Sequence, residues 1–477
     1  MYKLAESILF CAILGVALVL SCTNHATTFY PATAKANPPA ESPANATTHQ
    51  SIEVANDEQT AHSSSLLDLG DRLMLVYFAG SKEGASDVKI MSHFIDKQTL
   101  DYTPQREILS AKSLSLMADK FIKKLGNPVI FKDEMGGGIN LFVVGVSLGG
   151  WATSRIYQLK FSSDLSQLEF RGELQLGLLA NFSHLVRTPA ILLENGGFML
   201  PLYHELARKY PLVAFFDNSA NLTHTRRLIT LKNQLQPTII ALNKSECLAF
   251  FRNHKAYQNA SFLQKCKDGG ESWDAPQPTN LKAYDDSYLL LSYINAENKR
   301  RILLLYNDGK GTQNCVTYNN SRRRLSLYFL QDSTLDFKLD SSEVQDSANL
   351  RDSTKLKDSA NSQDSAPNSN QKLDSSETHK NHHFTFLLNI DTVDESYPNE
   401  VSYPSAIIAD STSGNLHATA QATSRQYLFI AYTHNRKRIK VQKIDLQDLE
   451  QRIKMLDSGD SNEAQKSFKT PTLARGL

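Results

Sequence analysis

The chain has 477 residues and a mass of 53.3 kDa, too long for one small core and suited to two or three ordinary domains or one large repeat-built domain. With 41% hydrophobic and 21% charged residues it is neither a polytopic membrane protein nor wholly disordered. A balance of 51 Lys+Arg against 50 Asp+Glu gives no overall surplus for nucleic acid or an anionic surface.

Residues 8–20 (ILFCAILGVALVL) form an apolar run too short to span a bilayer comfortably but sized for a secretory signal. The run ends in Leu20-Ser21-Cys22-Thr23-Asn24, which resembles a bacterial lipoprotein signal cleaved before Cys22. A plain signal peptide and an uncleaved anchor stay open, and each reading places the rest outside the cytoplasm. The expected organisation is a signal over 1–21, a tether over 22–60, a folded body over 61–456 and a tail over 457–477.

Five cysteines (Cys11, Cys22, Cys247, Cys266, Cys315) form no C-x-x-C pair and no zinc spacing, so neither a metal nor a cofactor is expected. If Cys22 carries lipid, the remaining extracytoplasmic three allow one disulfide, and the sequence does not choose the pair.

From residue 62 onward the chain reads as short strands bounded by Gly, Asn, Asp and Pro. They lie at 73–79, 141–146, 156–161, 198–203, 212–216, 248–252, 288–294, 302–306, 325–330 and 427–433. Only 112–125 and 446–455 have helical periodicity, so the fold class is all-β.

A repeat overlies this pattern. Cys266-Lys-Asp268-Gly-Gly270-Glu-Ser272-Trp273 resembles the Asp-box S-x-D-x-G-x-T-W, and an aspartate follows a strand again at Asp96, Asp164, Asp217, Asp332 and Asp445. Six such units predict a six-bladed β-propeller of four-stranded antiparallel blades. In each unit the aspartate fixes a hairpin turn; in the Asp-box, glycine supplies φ > 0 and Trp273 plugs between blades. Between 340 and 383 the pair Asp-Ser recurs in steps of six with almost no large apolar residues, which predicts a disordered insertion in a late blade.

The chain resembles the BNR/Asp-box sialidase-like family of secreted glycosidases over roughly 62–338 and 384–444. The resemblance is carried by Tyr77–Ile90, Gly126–Phe131, Arg187-Thr-Pro-Ala190, Leu200–Glu205, Gln236–Ile240 through Phe251-Arg252-Asn253, Tyr403-Pro-Ser405 and Tyr432–Arg436. It implies a pocket built for a sugar with a carboxylate beside its anomeric carbon: arginines to pair with that carboxylate, a tyrosine nucleophile, and an acid to protonate the leaving oxygen.

On these motifs Tyr403 stands at the nucleophile position, and Arg252 and Arg322 at two carboxylate-binding positions, with Arg323 and Arg324 leaving the register of the latter open. Glu83 and Asp87 are the acid/base candidates, Glu205 could orient a nucleophile or hydroxyl, and Tyr203 shares its strand face. Arg436 follows the last long strand.

Two departures stand out. Gln236 occupies the place of the glutamate that would polarise the tyrosine, and His62 occupies that of a first-blade arginine. The expected function is therefore a sialidase-like glycoside hydrolase acting on extracellular or envelope glycans. A catalytically silent glycan- or protein-binding propeller and a polysaccharide lyase are the alternatives, and membrane attachment is expected only through Cys22.

Overall fold

The computed structural model describes residues 27–30, 49–133, 138–177, 181–228, 233–254, 260–309, 321–331, 382–394, 399–410 and 425–458. The readings made at Cys22, Cys315, Asp332, the signal segment and almost all of the insertion lie outside these residues.

Six antiparallel sheets are arranged as blades, and in each the first strand lies innermost. Blade 1 comprises Thr60–Asp68, Arg72–Gly80, Lys89–Asp96 and Arg106–Ser110; blade 2, Lys124–Asp133, Gly138–Val146, Ser154–Phe161 and Leu168–Glu173. In blade 3 the inner strand is broken into His184–Val186 and Ile191–Leu192, followed by Phe198–His204, Tyr210–Phe216 and Leu222–Arg227. Blade 4 has Gln234–Ala241, Cys247–Asn253 and Phe262–Lys267, with Ser272–Trp273 and Gln277–Pro278 on its outer edge. Blade 5 has Leu289–Ile294, Arg300–Asn307, Arg324–Gln331 and His383–Thr392. Blade 6 has Val401–Asp410, Gln426–His434 and Arg438–Asp445, and its fourth strand is His49–Val54 from the other end of the chain. The folded body thus starts at 49, not at 61.

The core follows from this geometry. Each strand alternates side chains between two faces, and both faces of a blade meet a neighbour. The six hydrophobic clusters accordingly fall one between each pair of adjacent blades. Trp273 packs against Met199, Val213 and Phe215 of blade 3, as a plug between blades should. The same cluster contains Phe29, fully buried, whose N–H donates to the Lys244 carbonyl at 2.6 Å. Residues Thr27–Tyr30, read as tether, are a strap docked on blades 3 and 4.

The aspartates define the lower face. Asp96 accepts from the N–H groups of Gln98 and Thr99, Asp164 from Ser166, and Asp217 from Ser219 and Asn221, each in the turn between third and fourth strands. Asp268 accepts instead from the Ser272 hydroxyl at 2.7 Å. Asp445 departs from the pattern: its carboxylate caps helix α2 (Leu446–Asp457) through the Gln447 N–H, because blade 6 takes its outer strand from the N-terminus and makes no hairpin there. Helix α1 is Ala111–Ala118, shorter than the periodicity suggested; Asp119 ends it with φ 49°, and Lys124 already opens blade 2. Cys247 and Cys266 sit opposite one another on neighbouring strands of blade 4 and form a disulfide.

Candidate functional site

The upper face, where the inner strands begin, is shaped by one repeated device. In blades 1, 2, 4 and 6 the inner strand carries one extra residue against its partner, between His62 and Ser65, Gly126 and Val129, Leu235 and Thr238, and Ser402 and Ser405. At the same point of each bulge Ser63, Asn127, Gln236 and Tyr403 adopt positive φ (54°, 34°, 45° and 53°). A left-handed non-glycine residue is strained, and such strain persists where the surroundings impose it. Three of the four are followed by proline, which has no N–H to lose from the ladder. The device turns these side chains toward the axis.

Tyr403 is at the centre. It is 8% exposed, and its Oη accepts from Arg252 Nη1 at 3.3 Å. The guanidinium carbons of Arg187 and Arg322 each lie 5.2 Å from its ring centroid, and the His62 ring lies 4.4 Å away.

Carboxylates position the arginines. Arg252 Nε donates to Asp285 Oδ1 at 2.6 Å, and His254 Nδ1 lies 3.1 Å from the other oxygen. Arg322 Nε donates to Asp286 Oδ1 at 2.7 Å, with Nη1 3.6 Å from Glu400. Glu400 also accepts from Ser402 Oγ at 2.6 Å and Arg436 Nε at 2.9 Å. Burial opposes its charge, yet Arg322, with His62 and Arg436, holds the carboxyl down at about 2. Arg436 Nη1 in turn donates to Glu83 at 2.9 Å. Burial resists ionisation of Glu83 as well, but His62 and Arg436 keep it below the usual range, so it is a carboxylate at neutral pH.

Arg187 differs. It is 2% exposed, and its Nη groups donate to the carbonyls of Ser64 (3.4 Å) and Pro404 (2.8 Å), tying blade 3 to blades 1 and 6 across the axis. Burial without a carboxylate partner among the described residues lowers its pKa to about 10. His62 is likewise buried; its Nδ1 shares a hydrogen bond with Thr433 Oγ1 at 2.9 Å, while Nε2 meets no partner among the described residues. Burial drops its pKa to about 4, so the ring is neutral.

The structure therefore brings together Tyr403, Arg252, Arg322, His62, Arg436 and Glu83. Gln236 and Tyr203 adjoin them: the Tyr203 hydroxyl accepts from Gln236 Nε2 at 3.2 Å and Asn127 Nδ2 at 3.3 Å. Gln236 thus serves Tyr203 and not Tyr403. The arginine register is resolved as well, since Arg323 donates to the carbonyls of Asp394 and Asn399 and Arg324 pairs with Asp308, just past the second strand of blade 5. One candidate stands apart: Asp87 accepts from the N–H and hydroxyl of Ser81 in its own exposed loop. The backbone of Glu205 bonds Ser183 and Lys209, and its carboxylate acts electrostatically on Tyr203, at the edge of the group. Arg187, Glu400, Asp285, Asp286 and Asn127 were absent from the expected site. The recurring Pro after Asn127, Gln236 and Tyr403 was the available signal for the bulges, whereas the acidic partners belong to no local pattern.

Among the described residues no group of acidic, histidine or cysteine side chains is arranged to hold a metal ion.

The model of the family described as BNR repeat-like domain matches residues 71–418. Among solved structures the fold is similar to the Hadza microbial sialidase Hz136, with 12% identity and TM-score 0.55 over 82% of this chain and 66% of that one. It is similar also to Trypanosoma rangeli sialidase in complex with the inhibitor DANA, with 10% identity and TM-score 0.55 over 87% of this chain and 60% of that one. The same enzyme in complex with sialic acid gives 9% identity and TM-score 0.52 over 92% and 64%. The chain spans less than two thirds of the length of these structures, and at such identities the likeness is one of fold. No curated protein sequence matches it.

Proposed function

We propose, for a chain that belongs to the BNR repeat-like domain family, that it is a sialidase-like glycoside hydrolase whose central bowl receives the carboxylate of an acidic sugar. The observation that carries this reading is the disposition of Arg187, Arg252 and Arg322 around Tyr403. Guanidinium groups pair with carboxylates in bidentate fashion, and a phenolic nucleophile escapes the repulsion that a carboxylate nucleophile would meet. Tyr403 Oη gives up its proton and attacks the anomeric carbon as the glycosidic C–O bond breaks, the leaving oxygen takes a proton from solvent water and departs as the alcohol, and a second water later cleaves the tyrosyl-sugar bond and restores the phenol.

Gln236 has no basic site for the phenol proton. His62 Nε2, buried and beside the Tyr403 ring, is the acceptor the site offers. Extracytoplasmic action is supported by the Cys247–Cys266 disulfide, since such bonds persist in oxidising compartments.

The test is release of aryl alcohol from a panel of aryl glycosides, the sialoside included, by the full chain. Turnover should fall at least ~10³-fold in Tyr403→Phe and by a similar factor in Arg252→Met. No turnover of any glycoside, or a Tyr403→Phe variant equal to wild type, would retire the enzyme. One observation favours the second reading, a propeller that binds acidic glycans without cleaving them: among the described residues no carboxylate bonds the Tyr403 hydroxyl. Glycan-array binding that depends on Arg252 and Arg322, with no hydrolysis, would mark it.

A further inference from the structure

Six large apolar side chains stand exposed among the described residues, and four of them share one place: Leu116 (76%), Met117 (40%), Phe121 (64%) and Leu148 (69%). Helix α1 joins the outer strand of blade 1 to the inner strand of blade 2, so it lies on the upper face beside the bowl. Its inward side, Ala111 and Leu114, is buried, and Ile122 joins the same core, which leaves Leu116, Met117 and Phe121 outward. Leu148 belongs to the hairpin between the second and third strands of blade 2. That hairpin is held to the segment after α1 by the Lys123 N–H on the Val146 carbonyl (2.9 Å) and Lys124 Nζ on the Gly149 carbonyl (3.2 Å). Trp151, half-buried, closes the hairpin and rests over Gly126, where an added Cβ would meet its ring at 2.6 Å.

The charge here is not the balanced charge of the whole chain. Lys112, Lys120, Lys123 and Lys124 face a single acid, Asp119, over 112–124; Glu173 reaches in from blade 2 to pair with Lys120 at 2.8 Å. Apolar side chains ringed by lysines on a short amphipathic segment have the chemistry of a surface that sits in the interface of an anionic membrane.

We propose that this ridge is a lipid-docking surface. Leu116, Met117, Phe121 and Leu148 enter the interfacial region while Lys112, Lys120 and Lys123 contact anionic headgroups, which turns the upper face toward that surface. The proposal does not rest on the glycosidase reading.

The chain has two tryptophans, Trp151 beside the ridge and Trp273 buried against the lower face, so lipid contact can be read by position. Full-length protein is mixed with phosphatidylcholine vesicles, with or without phosphatidylglycerol, whose acyl chains carry bromine as a quencher. Emission should be quenched by the anionic vesicles, the quenching should largely vanish in Trp151→Phe, and half-saturation should move at least tenfold upward in Phe121→Asp/Leu148→Asp. Both substituted side chains already face water, so that variant should melt with wild type. Equal quenching in wild type and Trp151→Phe, as attachment through residues 8–20 alone would give, overturns the proposal. So do absence of quenching, as for a surface meant for a protein partner, and quenching indifferent to Phe121→Asp/Leu148→Asp.

Discussion

His62 is held neutral by burial, and that has a consequence for stability. Its pKa lies at about 4 in the fold against 6.5 in a free chain, so the unfolded form takes up the proton first. The stabilisation is complete above pH 6.5 and drains as pH falls to 4, about 3 kcal/mol in all. His184, lowered to about 4 by burial, adds a slope of the same sign, and Glu400 continues it from 4.5 toward 2. Thermal unfolding followed from pH 7 to 4 should therefore show a flatter dependence in His62→Asn than in wild type; parallel curves would remove His62 from the account. At this scale the sequence named Tyr403, Arg252, Arg322, His62 and Arg436, because each belongs to a motif at a strand end. It did not name Glu400, Asp285 or Asp286, acidic residues in loops whose arginine partners lie 33 to 36 positions away.

Single elements are secured by a few buried contacts. Helix α2 is clasped to blade 5 through Glu450, which accepts from Tyr293 at 2.6 Å, Asn295 at 2.7 Å and Arg301 Nη2 at 2.8 Å. Glu450→Ala removes the main partner of the Arg301 guanidinium, 8% exposed, leaving Asp457 as its carboxylate, and should cost about 2 kcal/mol, read as a lower denaturant midpoint. The strap depends on an absent Cβ: at Gly269, φ +66°, an added methyl would stand 1.8 Å from the Thr27 carbonyl oxygen. Gly269→Ala should expel Thr27–Tyr30, and Phe29→Ala alone should cost about 3–5 kcal/mol. Since both release the same segment, Phe29→Ala made on top of Gly269→Ala should add little, and a fully additive double variant would refute the coupling. The C-terminal helix was legible to within two residues because its periodicity is local, whereas the first was read seven residues too long, into the start of blade 2. The strap was not legible: one aromatic in a Thr- and Pro-rich stretch has no pattern, and its binding site is assembled from blades 3 and 4.

For the whole molecule, the six-fold architecture was legible because the Asp turn recurs at the lower end of successive blades and strand composition is strongly β. The strand His49–Val54 escaped notice for a physical reason. Only Val54 of HQSIEV is buried, and the partner that orders it, Arg438–Asp445, lies nearly the whole chain away. The Cys247–Cys266 bridge staples two adjacent strands of blade 4 across 19 residues. By loop-closure entropy it contributes about 3 kcal/mol, so reductant should lower the thermal midpoint, and an unchanged midpoint after verified reduction would contradict this.

The ring's seam sets an order of events. His49–Val54 emerges among the earliest parts of the polypeptide, yet its ladder partner, from Ile439 to Ile444, is made last. During synthesis the nascent chain must carry an unpaired β-edge while five blades accumulate behind it, a template for wrong pairing that only the final hairpin can retire. Acquisition of the native state is thus a late, single closing step, and a chain stalled before residue 438 remains open however well its finished blades have folded.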